Sequence, residues 1–370
     1  MESTEQEEPE GLEENVSAGW EDYPLDAVFV RNESRTVAEV DKRIRAKRYQ
    51  LDPDYQRDFV WSVPKQSRLI ESCLMRIPLP VFYVAETKAG IIAVVDGLQR
   101  LTTFSRYLAN EFALNLEGSA EGPPHSLQGL KFSDLPVTLQ ERIEDTQLTL
   151  YILDAAAPER AKLDIFERVN SGVPLTRQQM RNCLFNGRAT QWLKIAATST
   201  HFLGATGRSL DAKSMRDREA INRFCAFYLI GEEKYRGDMD SFLAIALETM
   251  QNSATDLDNL HKAFGISMHV NRVLFGDHAF RKSLVAFAEG VPSASRSILN
   301  ISLFDVCSVI FANAQRDWIE QPKADNIRSA MLNLLKDEDF IDAITYSTNS
   351  TRQVQMRFRM ARKILSEVTA

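Results

Sequence analysis

The chain has 370 residues, 44% of them apolar and 26% charged, which is typical of a globular protein large enough for two or three domains. No stretch approaches the ~18 continuous apolar residues of a membrane span, and the N-terminus lacks a signal-peptide pattern, so we expect a cytoplasmic protein with no membrane partner. The four cysteines lie far apart, which argues against a zinc ribbon or a disulfide framework.

The formal net charge of −7 is unevenly distributed. Residues 1–30 contain ten acidic side chains and no lysine or arginine, so the rest of the chain carries 41 acidic and 44 basic side chains. We expect residues 1–25 to form an acidic, disordered tail. Such a tail is either a solvated leader or a cover for a basic groove, from which a polyanion displaces it.

Apolar spacing predicts the elements of the first part of the chain. Helices are expected over 37–47, with a strongly basic outer face, and over 64–75, and strands over 81–85, 91–95 and 148–153. Residues 49–60 read as extended, and a solvated face is the simplest explanation of the basic residues on the first helix.

After Pro158 only helices are predicted. Pro158 suits the first turn of one helix, and Thr176 with Gln179 has the spacing of a capping box for the next. Further helical periodicity covers 214–230, 238–250, 278–289, 299–313, 325–336 and 352–366. The sequence therefore predicts an α+β fold, with a small N-terminal domain over 30–155 and an all-helical domain over 156–370.

The segment around Asp96 is the most informative part of the chain. An apolar run over 91–95 ends at Asp96 and Gly97, and a helical pattern follows at once, which predicts a buried strand, a tight turn and a helix. The free N–H groups and the dipole of a helix N-terminus favour an anion, and Arg100 in the first turn is placed to reach the same anion. This is a candidate phosphate site, although many such turns only reverse the chain.

Two further polar clusters interrupt apolar sequence, at 51–61 and 166–175. Each has an ordinary explanation. Tyr55 and Trp61 can be core aromatics, Glu167 can form an exposed ion pair with its neighbour, and residues 170–172 can be a helix C-cap.

Taken in order, the three clusters resemble the ParB-like family with a D-G-Q-Q-R box, the N-terminal part of GmrSD-type, modification-dependent (type IV) restriction enzymes. Residues 53–61 read P-D-Y-Q-R-D-F-V-W, 69–80 L-I-E-S-C-L-M-R-I-P-L-P, 94–103 V-V-D-G-L-Q-R-L-T-T and 166–175 F-E-R-V-N-S-G-V-P-L. The resemblance covers roughly residues 35–310 and implies a domain similar to ParB and sulfiredoxin that binds a nucleotide.

The resemblance also implies roles for individual residues. Its nucleotide site corresponds here to Tyr55, Gln56, Arg57, Asp96, Gly97, Arg100, Leu101, Thr102 and Asn170. Catalysis would rest on Asp96, Gln99, Arg100, Arg57 and Glu167, with Mg²⁺ held by Asp96 and Asn170. The expected cofactors are an NTP (GTP, CTP, UTP or ATP) and Mg²⁺, because phosphoryl transfer depends on positioned cations and oxygen-bound metal.

The expected function is that of an NTP-binding, NTP-hydrolysing subunit of an anti-phage system directed at DNA, including modified phage DNA. None of the five histidines lies in a His-Asn-His nuclease finger. We therefore expect either a separate nuclease subunit or nicking of DNA by the site itself. A homo-oligomer is a further option. Leu98 replaces the first glutamine of the box, which favours the alternative of a non-catalytic, nucleotide-gated DNA sensor or scaffold that recruits a nuclease. A DNA-binding regulator without nucleotide is a third class.

The C-terminal helix holds the predicted DNA contacts. Arg352, Arg357, Arg359 and Arg362 occur with no acidic residue between 351 and 365, which suits phosphate binding. The alternative is a solvated amphipathic helix whose apolar side chains face inward.

Overall fold

The computed structural model describes residues 8–12, 30–51, 61–87, 89–116, 125–169, 176–291 and 295–369. By their contacts the residues divide into two compact units, Ala18–Leu184 and Met1–Ser17 with Phe185–Ala370. We name these the sheet unit and the helical unit. The α+β fold class predicted from the sequence is confirmed, because one small sheet precedes a long series of helices.

The sheet unit contains five strands and six α-helices among its described residues. The strands are β1 (Val30–Thr36), β2 (Tyr49–Gln50), β3 (Phe82–Glu86), β4 (Ile92–Asp96) and β5 (Gln147–Leu153). The helices are α1 (Val37–Arg45), α2 (Val63–Leu74), α3 (Leu98–Leu108), α4 (Val137–Glu144), α5 (Glu159–Val169) and α6 (Arg177–Leu184).

The sheet has the strand order β1-β5-β3-β4-β2 and is mixed. β5 runs antiparallel to β1 and parallel to β3, while β4 runs antiparallel to β3 and parallel to β2. Leu148, Leu150 and Ile152 alternate along β5 and are fully buried, so this face of the sheet forms the core with α1, α2 and α3. The strands predicted over 81–85 and 91–95 are confirmed as β3 and β4, which pair as an antiparallel hairpin.

The predicted boundary at 155/156 differs from the division in the structure. α5 packs on β3 and α6 packs on β4, so both helices belong to the sheet unit and the chain divides after Leu184. The predicted capping box at the start of α6 is present: the Gln179 amide donates to Thr176 Oγ1 at 3.2 Å, and the Thr176 amide donates to Gln179 Oε1 at 2.8 Å.

The helical unit consists of ten α-helices among its described residues. They are α7 (Arg188–Ala197), α8 (Thr200–Thr206), α9 (Arg216–Leu229), α10 (Met239–Gln251), α11 (Leu257–Phe275), α12 (Leu284–Ala288), α13 (Ile301–Ile310), α14 (Lys323–Leu334), α15 (Glu338–Thr345) and α16 (Thr351–Thr369). A single apolar cluster joins them, with aromatic contacts among Phe202, Phe224 and Phe264 near its centre.

Part of the acidic leader is ordered against the helical unit, which corrects the expectation of disorder for residues 8–12. Leu12 is 6% exposed and lies in the apolar cluster. The Glu10 backbone forms a parallel bridge beside Asn300, and its carboxylate meets Lys282 Nζ at 2.6 Å. The other leader residues up to 29 lie outside the described part of the chain.

Candidate functional site

The turn between β4 and α3 requires glycine. Gly97 has φ +102°, in the left-handed region, and a Cβ added there would lie 2.3 Å from Cδ1 of Phe82. The backbone therefore passes directly over the Phe82 ring between the end of β4 and Leu98. This close approach explains the Asp-Gly pair in the sequence.

Helix α3 begins at this turn with no side-chain cap from the described residues. Its first intrahelical hydrogen bond runs from the Leu101 amide to the Gly97 carbonyl, at 2.9 Å. The backbone amides before Leu101 lie ahead of this first hydrogen bond. This end of α3 therefore carries the partial positive charge of a helix N-terminus. The predicted strand, turn and helix are confirmed.

Arg100 points back toward β3 in the structure. Its guanidinium Nη2 donates to Asp96 Oδ2 and to the Val81 carbonyl, both at 3.0 Å, and Nη1 donates to the Pro80 carbonyl. The guanidinium carbon lies 4.2 Å from the centre of the Phe82 ring, and burial lowers the pKa of Arg100. Arg100 thus fixes the strand entry and the orientation of Asp96.

Asp96 is the accessible carboxylate of the turn. Its side chain is 40% exposed, and only Oδ2 accepts from Arg100 in the contacts above. Among the described residues no three His, Cys, Asp or Glu side chains converge on a metal position. A Mg²⁺ ion at Asp96 would therefore complete its shell with water, phosphate oxygens or residues outside the described ranges, which is the usual arrangement for this ion with nucleotides.

The neighbours of Asp96 differ in their access to a ligand. Gln99 and Thr102 are partly exposed, but Leu101 is fully buried in the core of the sheet unit. The Leu101 side chain therefore belongs to the core, and a contact of this residue with a nucleotide stays a prediction for its backbone alone. Leu98 is 7% exposed and belongs to the same apolar cluster, so the position where the resembling family has glutamine faces the core.

Glu167 belongs to a cluster of charged side chains, of which the sequence analysis named only Glu167. Arg177 Nη2 donates to Asp164 Oδ1 at 2.6 Å and to Glu167 Oε2 at 3.2 Å, which joins α5 to α6. Asp164 and Arg177 are buried, while the Glu167 side chain is 36% exposed. The sequence does contain a signal for this cluster: Asp164 and Glu167 are three residues apart, which places both on one face of a helix. Tyr55, Gln56, Arg57 and Asn170 lie outside the described residues.

The predicted DNA contacts on α16 differ in their exposure to solvent. Arg352 and Arg359 are exposed, as is Arg362, which pairs with Glu232 through hydrogen bonds of 2.9 and 3.0 Å. Arg357 is fully buried and donates to Asp305, and burial lowers its pKa to about 10. The prediction that Arg357 contacts DNA is wrong, because its guanidinium has no access to solvent.

The sheet unit is thus an α+β domain organised around a strand–glycine–helix turn, with an aspartate and an arginine bonded across it. Residues 39–186 match the family model described as the GmrSD restriction endonuclease, N-terminal domain, so this part of the chain is similar to that domain. The match ends two residues beyond Leu184, where the sheet unit ends. The match confirms the resemblance to the GmrSD type.

The other comparisons gave no relatives: no curated protein and no solved structure matched the chain. Among the described residues, no helix combines the length and the apolar character needed to cross a bilayer.

Proposed function

We propose that the sheet unit binds a nucleoside triphosphate at the β4–α3 turn and hydrolyses it, as part of a restriction system that acts on DNA. The observation that carries the proposal is the exposed carboxylate of Asp96 beside the N-terminus of α3, which has no side-chain cap from the described residues. A helix N-terminus favours phosphate, and a carboxylate beside it suits the Mg²⁺ that accompanies the phosphates.

Each residue of the turn has a different role in the proposed site. Gly97 allows the tight left-handed turn over the Phe82 ring that places the N-terminus of α3 beside Asp96. Asp96 would offer an oxygen to the metal. Mg²⁺, when bound, would neutralise charge that develops on the phosphate oxygens. Arg100 acts as a positioning residue, since its hydrogen bonds to Asp96 and to two backbone carbonyls fix the carboxylate.

The proposal is tested with the full chain. Thermal shift and phosphate release are measured with GTP, CTP, UTP and ATP in the presence of Mg²⁺, for the wild type and for Asp96→Asn. We expect one nucleotide to raise the melting temperature, and Asp96→Asn to lower turnover by about 100-fold, the scale on which removal of one electrostatic group slows an active site.

A matched control is Glu141→Gln, which also removes one exposed carboxylate from the sheet unit and should leave both readouts unchanged. The proposal fails if none of the four nucleotides shifts the melting temperature or releases phosphate.

A second candidate is a non-catalytic sensor or scaffold that binds the nucleotide and recruits a separate nuclease subunit. The leucine at position 98, in place of the glutamine of the box, favours it, because an apolar side chain offers no hydrogen bond to an attacking water. Nucleotide-dependent stabilisation without phosphate release, together with nucleotide-dependent binding to DNA, would select this candidate.

The helical unit offers one surface for DNA. Arg352, Arg359 and Lys363 are exposed and follow each other at spacings of seven and four, so they lie on one stripe of α16. The double variant Arg352→Gln, Arg359→Gln should weaken binding to duplex DNA several-fold at low salt. Arg316→Gln is the control, because that side chain is 93% exposed in the same unit and lies outside the stripe.

A further inference from the structure

The end of α1 carries a dense group of exposed cations. Five of the seven residues over 42–48 are basic and none is acidic. All five side chains are at least partly exposed, and we name them the α1 patch: Lys42, Arg43, Arg45, Lys47 and Arg48. The apolar side of the same helix, with Val37 and Val40, is buried in the core of the sheet unit. The basic side chains therefore lie on the solvent side of α1.

Only two members of the patch have acidic partners among the described residues. Arg43 meets Glu39 at 2.9 Å, and Arg45 meets Asp41 at 2.7 Å. The structure gives no acidic partner within the described ranges to Lys42, Lys47 or Arg48. Exposed pairs such as Arg43–Glu39 are weak, so Arg43 is also available to a stronger anion.

The backbone that carries the patch is fixed by hydrogen bonds. The Arg48 amide donates to the Arg43 carbonyl and the Lys47 amide to the Ile44 carbonyl, both at 2.9 Å, which is the pattern of a Schellman motif. The Arg48 carbonyl then accepts from the Ile92 amide at 2.9 Å, at the start of β4. The cations thus project from a rigid corner of the sheet unit.

Lys47 occupies an unusual backbone conformation for its residue type. Its φ is +56°, the position of a Schellman motif where glycine or asparagine is preferred. A lysine there brings a cation to the corner at a conformational cost that glycine avoids.

We infer that the α1 patch binds the phosphate backbone of duplex DNA. The identity of the partner rests on the proposed restriction function, whereas the charge and exposure of the patch do not. A membrane surface fits poorly, because interfacial helices bury an apolar face in lipid and the apolar face of α1 packs against the protein. Contacts of this kind position a protein on DNA without reading its sequence.

The test compares two triple variants of the full chain that remove the same charge. Lys42→Gln, Lys47→Gln, Arg48→Gln removes the three members of the patch that have no acidic partner within the described ranges. The control Lys131→Gln, Lys234→Gln, Lys262→Gln removes three exposed lysines from elsewhere. Affinity for a short DNA duplex is measured by fluorescence anisotropy at several salt concentrations.

We expect the patch variant to bind about tenfold or more weakly at low salt and to reduce the slope of log K against log salt by roughly 3, one unit for each phosphate that is no longer neutralised. The control triple should keep the wild-type slope. Equal decreases in affinity for the two triples, an unchanged patch variant, a wild type that does not bind duplex DNA, or a patch-dependent preference for RNA would each overturn the inference.

The single variant Lys47→Gly separates binding from folding. It removes one cation and also the unfavourable φ, so its melting temperature should stay the same or rise while its affinity for DNA falls. A helix-end role alone predicts the opposite, since a cation in this position stabilises the C-terminus of a helix.

Nucleotide-induced thermal shifts of the same variants separate this inference from the proposed function. The patch variant should keep the wild-type shift. Absence of any nucleotide response in the wild type, with DNA binding that still depends on the patch, contradicts nucleotide binding and supports the α1 patch.

Discussion

Arg100 and Asp96 are bonded across the first turn of α3, with 3.0 Å between Nη2 of the guanidinium and Oδ2 of the carboxylate. The same guanidinium donates to the carbonyl groups of Pro80 and Val81, just before β3. A residue that the sequence placed beside a phosphate therefore also holds together two segments of the sheet unit.

This double attachment makes Arg100 important for stability. We expect Arg100→Ala to lower the free energy of unfolding by about 2–4 kcal/mol, because two carbonyl acceptors lose a charged donor in a mostly buried place. Arg100→Lys should recover only part of the loss, since an ammonium cannot reproduce the planar fork of donors. Urea denaturation measures both, and a wild-type midpoint for Arg100→Ala would contradict the structural role.

Leu98 provides a test of what the altered box does. Leu98→Gln places an amide in the apolar cluster, so we expect it to cost about 1–3 kcal/mol of stability and to bring no gain in phosphate release. Leu98→Met keeps the volume and should cost less than about 1.5 kcal/mol. A stable Leu98→Gln variant with greatly increased turnover would show that the leucine alone separates binding from hydrolysis in this chain.

The sequence predicted the regular elements of the sheet unit well where apolar spacing was strong. The predicted segments over 64–75, 81–85, 91–95 and 148–153 correspond to α2, β3, β4 and β5, with boundaries that differ by at most one residue. β1 was missed because Val30–Thr36 alternates charged and polar side chains, and its pairing with β5 depends on residues more than 100 positions away. Local patterns carry no information about such pairing.

The burial of Arg357 could be predicted in part from the sequence. It lies three residues after Val354 and four before Ala361, both fully buried, so the helical spacing already placed it on the inner stripe of α16. Its partner Asp305 lies on α13, 52 residues earlier, and also binds Arg223 at 2.6 Å. Only the tertiary structure shows that this arginine pairs with a buried carboxylate.

Arg357 and Arg359 therefore form a matched pair of tests within α16. Arg357→Met should destabilise the helical unit by about 3 kcal/mol, because Asp305 loses one of its two buried cationic partners. Arg359→Gln should change stability by less than about 0.5 kcal/mol, as is usual for an exposed side chain. Urea denaturation of both variants checks this contrast, which would be refuted by equal losses of stability.

The ordered part of the acidic leader should stabilise the helical unit. Leu12→Ala is expected to cost about 2 kcal/mol and to increase hydrogen exchange at the Ile301 amide, which donates to the Glu10 carbonyl at 2.9 Å. Ile298→Ala is the control, because that side chain is 48% exposed in the same unit. Unchanged exchange at Ile301 in Leu12→Ala would show that the leader is held by its backbone and by Lys282 alone.

Asp217, at the start of α9, should give the helical unit a distinctive dependence on pH. Burial raises the pKa of its carboxyl to about 6, although the Arg218 amide donates to Oδ1 at 2.7 Å. Between the unfolded pKa of about 3.9 and this value, the folded chain holds a proton that the unfolded chain releases, so stability falls as the pH rises through this window, by roughly 3 kcal/mol in all. Asp217→Asn should lack this fall and be more stable than the wild type at pH 7.

The neighbouring Asp211 provides a comparison of opposite sign. Its carboxylate accepts from the amides of Lys213 and Ser214, at 2.9 and 3.1 Å, and its pKa is lowered because these and the other local hydrogen bonds and charge outweigh the effect of burial. Its contribution to stability is present above the ordinary aspartate pKa and is lost as the pH falls further. Asp211→Asn should therefore be less stable than the wild type at pH 7, with the difference closing in acid. Denaturation curves of both variants from about pH 2 to 7 measure the two effects, because the Asp217 difference changes above the ordinary aspartate pKa and the Asp211 difference changes below it. Differences from the wild type that are independent of pH over this whole range would contradict both assignments.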